Sequence, residues 1–159
     1  MERPEAVKKV AYLMTKSKLC MFATLSVGAI VSRPMATQSV EFDGDLWFFA
    51  YEDSDKVAEI AINPACNVSF ESGSSWVSLS GNAVLVHDNA KAKELWNPSL
   101  KAWFPDELDE PGLALIKVNA SSGEYWDSSN NTLVSLFGTA KAAITGERAE
   151  GGENETVRL

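Results

Sequence analysis

Two short stretches of this chain carry side chains suited to holding an anion. The first is Arg33-Pro34-Met35-Ala36-Thr37-Gln38, a strand-like run that opens with an arginine and offers alternating side chains and exposed backbone. A guanidinium there is either a solvated strand-end charge or a planar fork for a phosphate. The second is Phe48-Phe49-Ala50-Tyr51-Glu52-Asp53-Ser54-Asp55-Lys56, an aromatic strand that ends at a helix start bearing a hydroxyl and a lysine. Ser54 as a plain helix cap and Lys56 as a solvated first-turn charge is one reading. The other is that helix amides, Ser54 and Lys56 converge on one phosphate. A cation at a helix start opposes the helix dipole, which favours a bound anion.

Other chemistry-bearing residues read more plainly. His87 is the single histidine and sits beside Asp88, so a solvated cap neighbour is the expected role rather than half of a catalytic dyad. Asp106, Glu107, Asp109 and Glu110 crowd one loop between prolines without the spacing of a calcium loop, and are expected to be solvated. Cys20 and Cys66 lie far apart in apolar runs, without metal or redox spacing, and read as reduced packing residues. No metal site is expected. Five tryptophans invite stacking on a flat ligand, although Trp47 and Trp96 read as core or interface packing.

The elements that must position these residues follow from periodicity. Val7, Val10, Ala11 and Met14 form a helical stripe after Pro4. Leu19 to Val27 alternates with apolar residues on both sides, predicting a strand covered on both faces. Ile30 to Phe42 and Leu46 to Tyr51 complete a meander through turns at Gly28 and Asp43-Gly44-Asp45. A short helix after Ser54 stops at Asn63-Pro64, followed by strands at Cys66 to Glu71 and Trp76 to His87, with Gly81 a candidate bulge. Asp88 or Asn89 caps a further helix that Pro98 interrupts. Strand segments Leu113 to Asn119 and Glu124 to Trp126, broken at Ser121-Ser122-Gly123, precede a last helix through Leu133, Phe137, Ala140 and Ile144. An α+β protein with a mostly antiparallel barrel is the simplest architecture for this order.

With 159 residues and 45% hydrophobic content the chain can bury one core, so one domain over residues 1–146 is expected, with an acidic polar tail at 147–159. In that tail only Val157 and Leu159 can anchor the end. A net charge of -8 and a pI near 4.7 argue against nucleic acid and anionic membrane as partners. The start Met1-Glu2-Arg3-Pro4 lacks an apolar stretch of signal-peptide length, and no later segment is long and apolar enough to span a bilayer, so a cytoplasmic location is expected.

The order of strand, arginine, strand, Ser-x-Lys helix and Asn-Pro stop resembles the flavin site of the pyridoxamine 5'-phosphate oxidase superfamily. Trp76-Val-Ser-Leu-Ser-Gly81, Glu94-Leu-Trp96, Trp103-Phe-Pro105 and Glu124-Tyr-Trp-Asp127 resemble its general stress protein branch. The resemblance implies a mostly antiparallel six-stranded split β-barrel with flanking helices, and FMN as cofactor with FAD as the alternative flavin. It also implies a homodimer with the flavin in the groove between subunits. By position it puts Arg33, Ser54 and Lys56 around the FMN phosphate, the backbone of Met35 and Ala36 beside the isoalloxazine ring, and Gln38 at the polar edge. Phe49 and Ala50 match the strand end that approaches the flavin, while Trp76, Trp103 and Trp126 are expected to come from the partner chain.

Departures narrow the expected function. Asp55 stands where the oxidases carry a second basic residue, and Asp127-Ser128-Ser129-Asn130-Asn131 replaces their Arg and His for pyridoxine phosphate. The resemblance therefore implies an FMN-dependent oxidoreductase-like stress protein rather than a vitamin B6 oxidase. A non-catalytic module that stores, senses or buffers flavin is the alternative, since no obvious acid, base or nucleophile accompanies the site. A dimer that has kept the barrel and lost the ligand is a third reading. The substrate and electron donor are not legible.

Overall fold

In a computed structural model, which describes residues 3–38, 42–128 and 153–159, the period-two segments pair into one seven-stranded antiparallel sheet. Helix α1 (Arg3–Met14) leads into β1 (Leu19–Ser26), β2 (Ala29–Ala36) and β3 (Asp45–Tyr51). Helix α2 (Asp55–Ile62), β4 (Ala65–Ser72), β5 (Ser75–Val86), α3 (Asn89–Leu95), β6 (Leu113–Asp127) and β7 (Glu153–Arg158) follow. The strand order is β2-β1-β4-β5-β6-β3, with β7 also paired to β6, so the sheet is not closed. The edges β2 and β3 are consecutive in sequence. This is an α+β fold built on an antiparallel sheet, with one more strand than the six expected.

The inward row of the sheet forms the main core. Phe22, Val68, Leu79, Ile116, Val118 and Tyr125 are fully buried there, and Ala6, Val10 and Leu13 of α1 pack on the same cluster. The helical stripe is therefore offset from the expected one: Val7 and Met14 flank it and Ala11 is only partly covered. A second cluster joins Phe49, Leu95, Leu100, Phe104 and Leu115, with Trp96 edge-on to Phe49 at 5.5 Å. Trp47 packs against this cluster under the ammonium groups of Lys91 and Lys117.

Several expectations are corrected. Strand β1 is covered on one face only: Cys20, Phe22 and Thr24 are buried, whereas Leu19 and Met21 are 54% and 41% exposed. Period-two apolar residues on both sides signal two apolar faces, and this chain supplies a layer for only one of them. Strand β2 ends at Ala36 rather than Phe42. The two segments expected after Gly112 are one strand, β6, which carries an irregularity opposite Ser80/Gly81 instead of breaking. At the chain's end Val157 is buried, as its expected anchoring role requires, and β7 adds a strand along Ser122–Asp127 that was not expected. The final helix expected around Leu133 to Ile144 lies outside the described residues.

Gly81 marks the bulge, whose extra residue is Ser121 of β6, and has a steric reason to be glycine. A Cβ there would meet the backbone of Asn119 and Ala120, at 2.8 Å from the Asn119 carbonyl carbon and 2.9 Å from the Ala120 Cα. Backbone cannot give way as a flexible side chain can. Gly81→Ala is expected to destabilise the fold by about 3 kcal/mol, the upper end for overpacking, and thermal unfolding followed by circular dichroism checks it.

Candidate functional site

Arg33 leaves β2 on the inward side, because its cross-strand partner on β1 is the buried Phe22. Its guanidinium lies against the Phe22 ring, 5.8 Å from the centroid. Nη1 donates to Thr24 Oγ1 at 2.8 Å and to the Phe22 carbonyl at 3.3 Å. Nη2 donates to both carboxylate oxygens of Glu59, each at 3.2 Å. Thr24 in turn donates to Glu59 Oε2 at 2.7 Å. Arg33 is thus not a solvated strand-end charge but one corner of a network joining β1, β2 and α2.

Lys56 lies one helical turn before Glu59 and faces the same region. Its ammonium makes no ion pair among the described residues although it is partly buried. Burial pulls its pKa below the usual lysine range, and repulsion from Arg33 adds to this, while Asp55 and Glu59 act the other way. Two cations that repel each other in a partly desolvated place are an arrangement that an anion relieves. Ser54 is not the side-chain cap that its type suggests. Its hydroxyl turns back to donate to the Tyr51 carbonyl at 2.7 Å, and only its backbone carbonyl starts the helix.

A groove of about 970 Å³ runs beside the end of β2 and the start of β3. Ala36, Thr37 and Gln38 beyond β2, Leu46 to Phe48 of β3, and Trp96, Asn97 and Trp103 from the loop after α3 line it. Asn97 donates to the Gln38 side-chain oxygen at 3.3 Å. Trp103 is 65% exposed. Its loop is tied down by Tyr51, whose hydroxyl meets the Trp103 carbonyl at 3.2 Å and Glu110 Oε1 at 3.0 Å. Burial, the Glu110 hydrogen bond and nearby carboxylates push that phenol's pKa up. Glu110 also accepts from the Asp106 amide at 2.7 Å, so one of the four loop carboxylates is structural rather than solvated.

The remaining candidates divide between core and outer face. Met35, Phe49 and Ala50 have buried side chains, so any contact of theirs with a ligand is through backbone. Trp76 and Trp126 are cross-strand partners on the outer face, 44% and 38% exposed, apart from the groove that Trp103 lines. His87 contacts Glu52 Oε2 at 2.7 Å on the surface. Burial pushes the Cys20 and Cys66 thiols up to about 12 and about 11, so neither offers a nucleophilic thiolate near neutral pH. Asp127 is buried, accepts from Ser75 at 2.8 Å and pairs with Lys9 at 2.6 Å. Among the described residues no cluster of His, Cys, Asp and Glu is arranged to hold a metal ion.

Sequence reasoning missed Thr24 and Glu59. The faint signals were a hydroxyl in the otherwise apolar inward row Cys20, Phe22, Thr24 and a carboxylate three residues after Lys56. If Arg33 and Lys56 share one site, Arg33→Met removes the repulsion and raises the Lys56 titration midpoint. NMR of the lysine side-chain carbons measures it, and an unmoved or lower midpoint contradicts the shared site.

Comparison with known proteins places this geometry. Residues 5–150 match the family described as pyridoxamine 5'-phosphate oxidase like. Protein bli-3 of Neurospora crassa is 30% identical over 158 residues, covering 91% of this chain and 76% of that protein. Among solved structures, a putative general stress protein 26 from Jannaschia sp. CCS1 superposes with a TM-score of 0.75 at 22% identity, covering 98% of this chain and 99% of that one. The general stress FMN/FAD binding protein from Xanthomonas citri has a TM-score of 0.65 at 26% identity, over 76% of this chain and 86% of its own. No helix among the described residues is long and apolar enough to cross a membrane. With a match over nearly its whole length and a shared fold, the chain belongs to the pyridoxamine 5'-phosphate oxidase-like family.

Proposed function

We propose that this protein binds FMN by its phosphate at Arg33 and Lys56 and uses the flavin as an oxidoreductase. The observation that carries the reading is a partly buried Lys56 without an ion pair, set beside a second cation whose Nε is also without a partner among the described residues. A phosphate monoester supplies the missing charge and acceptors. The Xanthomonas citri relative, named for FMN/FAD binding, supports a flavin as the bearer of that phosphate. FAD, whose phosphates form a diester chain, fits a terminal anion site less well.

Flavin supplies hydride and single-electron transfer when bound. The protein's own part is to anchor the phosphate, to offer backbone of β2 near Ala36, and to hold Gln38 oriented through Asn97. The Trp103 loop, fastened through Tyr51 and Glu110, shapes entry to the groove. Vitamin B6 oxidation is not part of the proposal, because Asp127 stands where the oxidases place substrate-binding basic residues and its carboxylate is spent on Ser75 and Lys9.

The phosphate anchor is tested by titrating FMN and riboflavin into wild type and Lys56→Ala, read by flavin fluorescence. FMN affinity is expected to fall roughly ten- to a hundredfold, about 1.5–3 kcal/mol for a charge-assisted hydrogen bond, with riboflavin unchanged. Undiminished FMN affinity contradicts the anchor. Bleaching of the bound flavin's visible band by NADH or NADPH separates an oxidoreductase from a storage or sensing module.

The same reading includes a homodimer. Leu19, Met21, Trp76 and Trp126 are exposed apolar side chains on the outer face of the sheet, which Ser69, Glu71, Ser78 and Glu124 share, and isologous pairing is the commonest way to cover such side chains. Trp76→Asp is expected to convert a dimer into a monomer by light scattering and to weaken flavin binding. A wild-type monomer that binds FMN tightly contradicts the dimer.

A further inference from the structure

The partners of Arg33 form a closed ring that the phosphate reading does not itself require. Arg33 donates to Thr24 and Glu59, and Thr24 donates to Glu59. Thr24 is 2% exposed, and the side chains of Arg33 and Glu59 are 24% and 13% exposed, so water does little to loosen the ring. A guanidinium has five N–H donors in a fixed plane. Both Nη1 hydrogens are taken by Thr24 and the Phe22 carbonyl, Nη2 is turned onto Glu59, and Nε makes no hydrogen bond among the described residues. The Nε side of the plane is therefore the side left for a ligand.

A carboxylate this near an anion site costs electrostatic energy, so its presence calls for a compensating role. An arginine on an edge strand samples many rotamers, and ordering it on binding costs affinity. Glu59 and Thr24 remove that cost beforehand. They grip the guanidinium from β1 and α2, the second of which also carries Lys56, so one rigid framework sets both cations.

We infer that Glu59 and Thr24 are positioning residues of the phosphate site, which hold Arg33 by its Nη groups and turn its Nε edge toward a phosphate monoester beside Lys56. The inference rests on the phosphate reading above. Neither residue touches the ligand; each acts through Arg33.

The experiment compares FMN with riboflavin, which lacks the phosphate, in the full chain. Thr24→Val keeps the volume of Thr24 and removes its two hydrogen bonds, Thr24→Ser keeps the hydroxyl, and Glu59→Gln keeps the shape of Glu59 and removes its charge. Thr24→Val and Glu59→Gln are each expected to weaken FMN about tenfold and to leave riboflavin unchanged, while Thr24→Ser retains the wild-type preference. In an Arg33→Met background, Glu59→Gln is expected to weaken FMN no further.

Tighter FMN binding by Glu59→Gln would mean that the carboxylate competes with phosphate and would overturn the inference. Equal losses for both flavins, or a loss that persists without Arg33, would overturn it as well, leaving a scaffolding role. If wild type binds both flavins equally, the phosphate reading itself falls and takes this inference with it. A wild-type preference for FMN that survives unchanged in Thr24→Val and Glu59→Gln defeats the inference alone.

Discussion

The ladder between β5 and β6 is the constraint on which the rest of this fold depends. It runs from Ser75 opposite Asp127 to Val86 opposite Leu115, and it shifts register once, at Ser80/Gly81. Only a glycine admits the approach of the Asn119 and Ala120 backbone at that point. A bulge increases local twist and bends the strand. Strands β2 and β3, at opposite ends of the strand order, both contribute to the groove lined by Ala36 to Gln38 and Leu46 to Phe48.

The unclosed sheet is what makes room for a site. Arg33 stands in the middle of β2 and Lys56 on the helix that follows β3. The groove has a largely apolar lining with polar groups, Gln38 and Asn97 among them. Helices α1 and α3 are fastened separately from the Arg33 network, which holds α2. Lys9 of α1 pairs with Asp127 of β6, and Asp88 caps α3 through the Lys91 amide.

Much of this was legible along the chain. The hairpins, the long β5 run, the α2 helix and its Asn63-Pro64 stop all leave local signals, because period two, period 3.6 and turn residues act over a few positions. Departures arose where distant chain decides. The outward Leu19 and Met21 look like core to a periodicity argument, yet no layer of this chain covers them. Strand β6 reads as broken at Ser121-Ser122-Gly123, yet β5 and β7 hold that stretch in the sheet. Val157 was legible as an anchor of its polar segment, but only pairing with β6 makes that segment a strand.

The candidate site divides in the same way. Sequence by itself determined that an arginine on the second strand and a lysine at the start of the following helix belong to one recognisable order, and that a cation at a helix start wants an anion. Only the tertiary structure decided what surrounds them. Thr24 and Glu59 hold Arg33, Ser54 turns to Tyr51, and Asp127 is committed to Ser75 and Lys9. Apart from the local Ser54 turn, these partners come from strands and helices brought together only by the core, so their pairing has no period in the sequence. Their hydrogen bonds depend on where a few buried atoms meet, and that is set by packing.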